Sequence, residues 1–365
     1  MIIWRIIILI KRPVSIKKGD VIGITAPSFG AATEPYSTMI DVSLDKIKER
    51  GYKILEGKTA RLGDGIGIST DPKVAASELM EFYKRDDINA IISAGGGELM
   101  NETITHVDFN ELKNYPPKWF IGYSDNTNFI FPLVTITGIM GIYGPCISGF
   151  AKKWEGTEED SFALLEGTKT SFSGYEKVAF ETDEDNESEP PKADFYYDWT
   201  YEYNAEKELV IYSCENGKAN KLSKDAEVSF EGILLGGCLD VLANLVGTRF
   251  DNMKSFNENS HDVIWVLEAC DLTPMSYRRA LWNLREAGWF ANAKGFIIGR
   301  PRTSFGQNMM GVDQYNAVTE ILKDFNVPII MDADIGHIDP MLPVVMGADA
   351  KVSTKNNNIF IDYLS

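Results

Sequence analysis

Residues 119–134 read WFIGYSDNTNFIFPLV. Trp119, Phe120 and Ile121 form a short apolar run that stops at Gly122, and Phe129, Ile130, Leu133 and Val134 then recur at helical spacing. The stretch predicts a strand, a tight turn and a helix, with Ser124 and Asp125 on the turn. Such a turn projects a hydroxyl into a crevice, and the N–H groups that open the helix can hold a developing negative charge. Ser124 is the candidate nucleophile. Serine and aspartate also cap helices throughout α/β proteins, so this stretch alone leaves a capping role open.

The same alternation runs upstream. Val21, Ile22 and Ile24 lead into a turn at Ala26, Pro27 and Ser28, residues 39–50 are amphipathic, and a second strand follows Gly51. Residues 74–83 read as helix, and residues 90–93 as a strand that runs into Gly95, Gly96, Gly97 and Glu98. Strands alternating with helices predict a doubly wound parallel sheet, an α/β fold whose ligands sit beyond the carboxyl ends of the strands. Three of those ends carry Ser28, the glycine triplet and Ser124. Neither a dinucleotide fingerprint nor a phosphate loop is present.

The pattern loosens between Gly149 and Ser229. This region holds an acidic run at 181–189 and the aromatics Phe195, Tyr196, Tyr197, Trp199, Tyr201 and Tyr203, which either stack on a planar ligand or pin the loop to the body. A second α/β pattern follows: a strand at 261–268 ending on Glu268, helices at 274–287 and 312–325, and strands at 295–300 and 328–331. A turn-rich loop at 332–343 carries His337, and strands at 344–353 and 357–363 close the chain. The expected organisation is a nucleophile-bearing domain at 15–165, a linker with the acidic and aromatic loop at 166–228, and a smaller C-terminal α/β domain at 229–365.

A net charge of −17 argues against a nucleic-acid surface, which needs clustered Lys and Arg. Four cysteines without a C-x-x-C pair fit a reduced, cytoplasmic protein better than a disulfide scaffold. Three histidines without ligand spacing give no metal site. The opening MIIWRIIILIKRP is too short and too charged to span a bilayer, and its charge lies on the wrong side for a signal peptide; it reads as an edge strand or a start-site extension.

A serine hydroxyl needs a base, and the base needs an orienting acid. His106 lies in a polar helical stretch and His261 just before a strand, so both read as structural; His337, on a loop after a strand, is the candidate base. Glu268 is the candidate orienting carboxylate, with Asp271 as its competitor. The order Ser124, Glu268, His337 also occurs in α/β-hydrolases, but Gly122-Tyr123-Ser124-Asp125-Asn126 lacks the second glycine of their nucleophile elbow. Two rivals remain at this point: a non-catalytic small-ligand-binding α/β protein in which Ser124 is a cap, and an amidotransferase-like cysteine enzyme using Cys146.

GYSDNT at 122–127, the glycine turn at 95–97, IWVLE at 264–268 and GHIDPMLP at 336–343 together resemble the serine LD-carboxypeptidase family, particularly its microcin C immunity protein-like branch. KKGDVIGITAPS at 17–28 and GILLGG at 232–237 are similar to that family too, so the resemblance covers about residues 15–365. It implies a flavodoxin-like or class I amidotransferase-like domain supplying the serine, a C-terminal domain supplying Glu268 and His337, and a homodimer without metal or organic cofactor. It implies Ser124 as nucleophile, an oxyanion hole built from Asp125 and from Gly96 or Gly97, and Trp199 as an aminoacyl-nucleotide contact. Substrates with a free carboxylate need a cation, for which Arg300 is the candidate. The implied activity is a serine carboxypeptidase-type hydrolase acting on a small peptide or aminoacyl-nucleotide. Murein tetrapeptide LD-carboxypeptidase activity is the alternative, disfavoured by Ala94-Gly-Gly-Gly-Glu98 and by Asp339-Pro-Met-Leu-Pro343 after the histidine.

Overall fold

The computed structural model describes residues 9–180, 192–259 and 261–364. The acidic run at 181–189 and the start of the N-terminal apolar stretch lie outside them; within that stretch, Lys11 makes one parallel bridge to Ile139.

The strands Val21–Thr25, Lys53–Glu56, Ala90–Ser93, Trp119–Gly122 and Gly141–Tyr143 are parallel members of a six-stranded sheet. Ala90–Ser93 and Trp119–Gly122 lie at its centre and are buried along their whole length. A parallel strand covered on both faces needs apolar side chains on both, which is why these two read as unbroken apolar runs. The sixth strand comes from the far end of the chain: Val344–Met346 pairs antiparallel with Gly141–Tyr143. The single strand expected at 344–353 is thus divided, because Gly347 takes φ +91° and turns the chain away.

A nine-stranded sheet forms the second half. Its parallel centre is Ser229–Cys238, Val263–Glu268, Ala293–Gly299 and Ile329–Ala333. Val210–Glu215 and Lys218–Lys221 extend one side, and Asp349–Lys355, Asn358–Tyr363 and Ser171–Ser173 the other. The stretch read as a linker therefore supplies three strands to this sheet, together with the helix Ala193–Asp198.

Local chemistry sets the helix starts. Pro72–Lys84 begins with proline, and the Asp71 side chain accepts from the Lys73 N–H; Pro274–Glu286 begins the same way under Thr273. Among the described residues, no helix is long and apolar enough to cross a membrane.

One apolar core joins the two sheets. Phe131, on the helix that follows Ser124, stacks on Trp289 with centroids 4.8 Å apart and approaches Trp265, on the strand that ends at Glu268. All three rings are fully buried. Each such ring contributes about 1.5–3 kcal/mol by leaving water, so the sheets pack as one body. Thr127 adds a polar tie, accepting the Cys238 N–H at 3.0 Å.

Candidate active site

Ser124 stands at the carboxyl end of Trp119–Gly122 and opens the short turn Ser124–Asn126 before the helix Thr127–Pro132. Its φ is +60°, a left-handed conformation that costs a non-glycine residue about 1–3 kcal/mol. The turn is held by its surroundings. Asp125, buried beneath it, accepts from Ser28 Oγ at 2.5 Å, from the Met100 N–H at 2.8 Å and from Asn128 Nδ2 at 2.7 Å. Burial pushes the Asp125 carboxyl above its ordinary pKa although these hydrogen bonds oppose it.

The second sheet brings the partners. Glu268, fully buried, ends the strand Val263–Glu268, and His337 lies on the loop after Ile329–Ala333. His337 Nδ1 is 2.8 Å from Glu268 Oε2, and Nε2 is 2.9 Å from Ser124 Oγ. A carboxylate only accepts, so Nδ1 carries a proton, and in the neutral imidazole Nε2 accepts from the serine. Gly336 makes room for this contact: at φ +105°, a Cβ there would lie 2.5 Å from Glu268 Oε2.

The sequence reading missed Tyr143. Its hydroxyl accepts the Ser124 N–H at 3.0 Å and donates to Glu268 Oε1 in a short hydrogen bond, tying the serine turn directly to the acid. No local signal marked it, because a tyrosine at the end of a buried strand is ordinary. The Tyr123 ring packs against the imidazole at 5.0 Å.

Burial alone would raise the Glu268 pKa, but His337 and Tyr143 hold it below the usual carboxylate value. Burial alone would lower that of His337; Glu268, with Cys270 beside it, outweighs burial and raises the imidazole well above its ordinary value. Cys146 lines the same cleft, yet burial pushes its thiol up to about 12, so it supplies no thiolate at neutral pH.

Ser124 and His337 lie in a cleft of about 470 Å³, within the size range of small-molecule sites. The glycine turn forms one wall, and Gly96 is in contact with the serine: a Cβ there would lie 3.5 Å from Ser124 Oγ. Glu98, Asp271 and Arg302, all exposed, stand at the mouth. Asp271 is therefore a rim residue, and Glu268 is the carboxylate bonded to His337. Burial and the neighbouring acids Asp271, Asp125 and Asp240 raise the pKa of Glu98.

Trp199 and Arg300 do not line this cleft. Trp199 packs with Tyr196, Val42 and Ala151 against the helix Tyr36–Glu49, and its carbonyl accepts the Lys153 N–H at 2.8 Å. Arg300 is buried against Asp334. Among the described residues no group of His, Cys, Asp and Glu side chains could hold a metal ion.

A hydroxyl, an imidazole and a carboxylate linked in series across a two-sheet α/β body make the architecture of a serine hydrolase. The LD-carboxypeptidase N-terminal domain model matches residues 22–144 and the C-terminal domain model residues 231–352, so the chain belongs to the LD-carboxypeptidase family and is a carboxypeptidase-type hydrolase. It is 24% identical to the probable murein peptide carboxypeptidase of Bacillus subtilis, over 96% of this chain and 94% of that protein. It is also 24% identical to the microcin C7 self-immunity protein MccF of Escherichia coli, over 98% and 97%. Among solved structures, wild-type apo MccF superimposes with a TM-score of 0.76 at 22% identity, covering 97% of this chain and 99% of that one. MccF in complex with aspartyl sulfamoyl adenosine gives 0.75 at 22%, covering 96% and 98%. An MccF-like protein from Bacillus anthracis gives 0.74 at 21%, covering 97% and 99%.

Proposed function

We propose that the chain hydrolyses an amide bond in a small peptide or an aminoacyl-nucleotide, with Ser124 as nucleophile, His337 as base and Glu268 as orienting acid. The observation that carries this reading is the continuous hydrogen-bonded series from Ser124 Oγ through His337 to Glu268, with steps of 2.9 and 2.8 Å, inside the cleft.

His337 Nε2 takes the hydroxyl proton as Ser124 Oγ attacks the substrate carbonyl. The carbonyl oxygen, now negative, is stabilised by the backbone N–H of Asp125 and one from Gly96 or Gly97. His337 then gives its proton to the leaving nitrogen, an acyl-enzyme remains, and water attacks it by the reverse proton route. Glu268 stays ionised and steadies the imidazolium. Glu98 and Asp271 face a substrate ammonium group at the mouth.

The solved complexes of MccF with aspartyl sulfamoyl adenosine and glutamyl sulfamoyl guanosine favour aminoacyl-nucleotides as the substrate class. The Bacillus subtilis relative favours murein peptides. Incubating the purified protein with aspartyl sulfamoyl adenosine and with a D-alanine-terminated tetrapeptide, and reading products by mass spectrometry, decides between them; cleavage of neither overturns the proposal. Covalent labelling by a fluorophosphonate, absent in Ser124→Ala, tests the nucleophile separately. The cytoplasmic location and the homodimer are part of the same proposal; sedimentation velocity tests the last.

A further inference from the structure

The Ser124 turn and the glycine turn are joined by one buried amide. Asn126, fully buried, lies on the short turn that Ser124 opens. Its Nδ2 donates to the Gly95 carbonyl and to the Tyr123 carbonyl, both at 3.0 Å, with the weak acceptor Cys146 Sγ farther off at 3.5 Å. Carbonyl oxygens only accept, so the amide must present its NH2 group to both. Oδ1 finds no partner among the described residues, a cost the fold bears for those two donations. Gly122 makes room for the amide: a Cβ there would lie 2.7 Å from Asn126 Cγ.

The two carbonyls stand at positions that govern the site. Tyr123 immediately precedes Ser124, whose φ of +60° persists only where the surroundings hold it. Gly95 opens the glycine turn, and a peptide group is planar and trans, so fixing the Gly95 carbonyl aims the Gly96 N–H the opposite way. The next plane is fixed likewise, because the Phe29 N–H donates to the Gly96 carbonyl at 2.8 Å.

Three consecutive glycines have no side chains to hold such planes, so the restraint comes from outside the turn. Ser93 Oγ supplies part of it, donating to the Gly95 carbonyl at 2.9 Å, but from the strand that leads into the turn. Asn126 reaches the same oxygen from the nucleophile's side and so sets the distance between the two turns. Gly96 is half-buried and Gly97 exposed in the cleft, and their N–H groups donate to no other described residue.

We propose that Asn126 is the positioning residue of the oxyanion hole. Its amide sets the spacing between the Asp125 N–H and the glycine-turn N–H groups that receive the carbonyl oxygen as it becomes negative. Asn126 touches no reacting atom; it acts through both turns. The inference rests on the assignment of Ser124 as nucleophile and adds what preorganises the hole. The charge these donors meet develops only during the reaction, so displacing them costs rate and not ground-state binding.

The test is steady-state kinetics of Asn126→Ala, with active sites counted by fluorophosphonate labelling carried to completion. The variant loses both hydrogen bonds. The expected result is a kcat per labelled site lowered about 10- to 100-fold, with KM within about two-fold of the parent. The rate of labelling falls in parallel, because a phosphoryl oxygen uses the same hole. The midpoint of the kcat/KM pH profile stays at the parent value, which separates this effect from one that passes through His337. A merely structural role lowers the labelled fraction and leaves kcat per labelled site unchanged; that outcome overturns the proposal, as does a rise in KM without loss of kcat. If the parent takes no label at Ser124, the nucleophile and this inference fall together, whereas a labelled parent matched in rate by Asn126→Ala removes this inference alone. Should Asn126→Ala not fold, the crystal structure of the phosphonylated parent decides. The phosphoryl oxygen is expected within hydrogen-bond distance of the Asp125 N–H and of one glycine-turn N–H, with the Asn126 amide still joining the turns; an oxygen held elsewhere overturns the proposal.

Discussion

The floor and the mouth of the Ser124 cleft are built by opposite means. At the floor, Ser124, His337, Glu268 and Tyr143 form one hydrogen-bonded series on the ends of strands from both sheets, backed by a shared aromatic core. At the mouth, Glu98, Asp271 and Arg302 are exposed side chains on loops. Rigid, buried groups suit chemistry that tolerates little displacement, whereas exposed loop charges suit selection. Substitutions at the floor therefore lower kcat, and those at the mouth change KM.

The sharpest break in that contrast comes from the proposed nucleophile. Ser124→Ala lowers kcat by about 10⁴- to 10⁶-fold, since groups acting as a unit fail together, while thermal unfolding stays within a few degrees of the parent. A variant that retains the parent rate on its best substrate sinks the assignment of the floor.

Glu268→Gln comes next, with a loss of about 10²- to 10⁴-fold in kcat. It also changes the pH profile. His337 is raised well above 6.5, and the base must be neutral, so kcat/KM rises with pH through a midpoint above 6.5. Removing the carboxylate leaves burial dominant and moves that midpoint down. The same shift has a stability consequence: the folded-state pKa exceeds the unfolded one, so the His337–Glu268 contribution is fully present just below pH 6.5. It is lost as pH rises through the folded-state value. A parent profile with its midpoint below 6.5 would show that Glu268 does not hold the imidazolium.

Tyr143→Phe has a smaller effect, about ten-fold in kcat, because it loosens the floor without removing a reacting group. Loss of the donor to Glu268 makes that carboxylate more basic and moves the kcat/KM midpoint up, opposite in sign to Glu268→Gln. A purely structural role for the phenol would leave the midpoint in place.

Much of this floor was legible from sequence because strand-ending polar residues stand out against apolar runs. Val263–Glu268 finishes an apolar segment with a carboxylate that has no reason to be buried there unless it is used, and Trp119–Gly122 runs straight into the turn that carries Ser124. Tyr143 was not legible, since tyrosine is ordinary at the end of a buried strand and its function lies in a contact 125 positions away. The crossing of Val344–Met346 into the first sheet was hidden for a similar reason: strand pairing across the chain leaves no local pattern. Ser171–Ser173, Val210–Glu215 and Lys218–Lys221 lie at or near a sheet edge, and the first and last are only 3 and 4 residues long, too short to carry a readable alternation. Trp199 was placed by a family resemblance over a divergent loop and Arg300 by its charge at a strand end, and neither says which cavity, or which helix, a side chain will meet.

The smallest expected effect tests the mouth. Glu98→Gln raises KM about three- to ten-fold for substrates bearing a free ammonium group near the scissile bond, with kcat unchanged, as expected for a partly screened charge contact. Burial and the neighbouring acids raise the Glu98 pKa, so this carboxylate protonates at a higher pH than a free glutamate and substrate binding weakens correspondingly early on acidification. That acid-side rise in KM disappears in the Gln variant while the His337-governed limb of kcat remains. If Glu98→Gln instead lowered kcat and left KM alone, Glu98 would act on the reacting groups, and the division between a chemical floor and a selective mouth would fail.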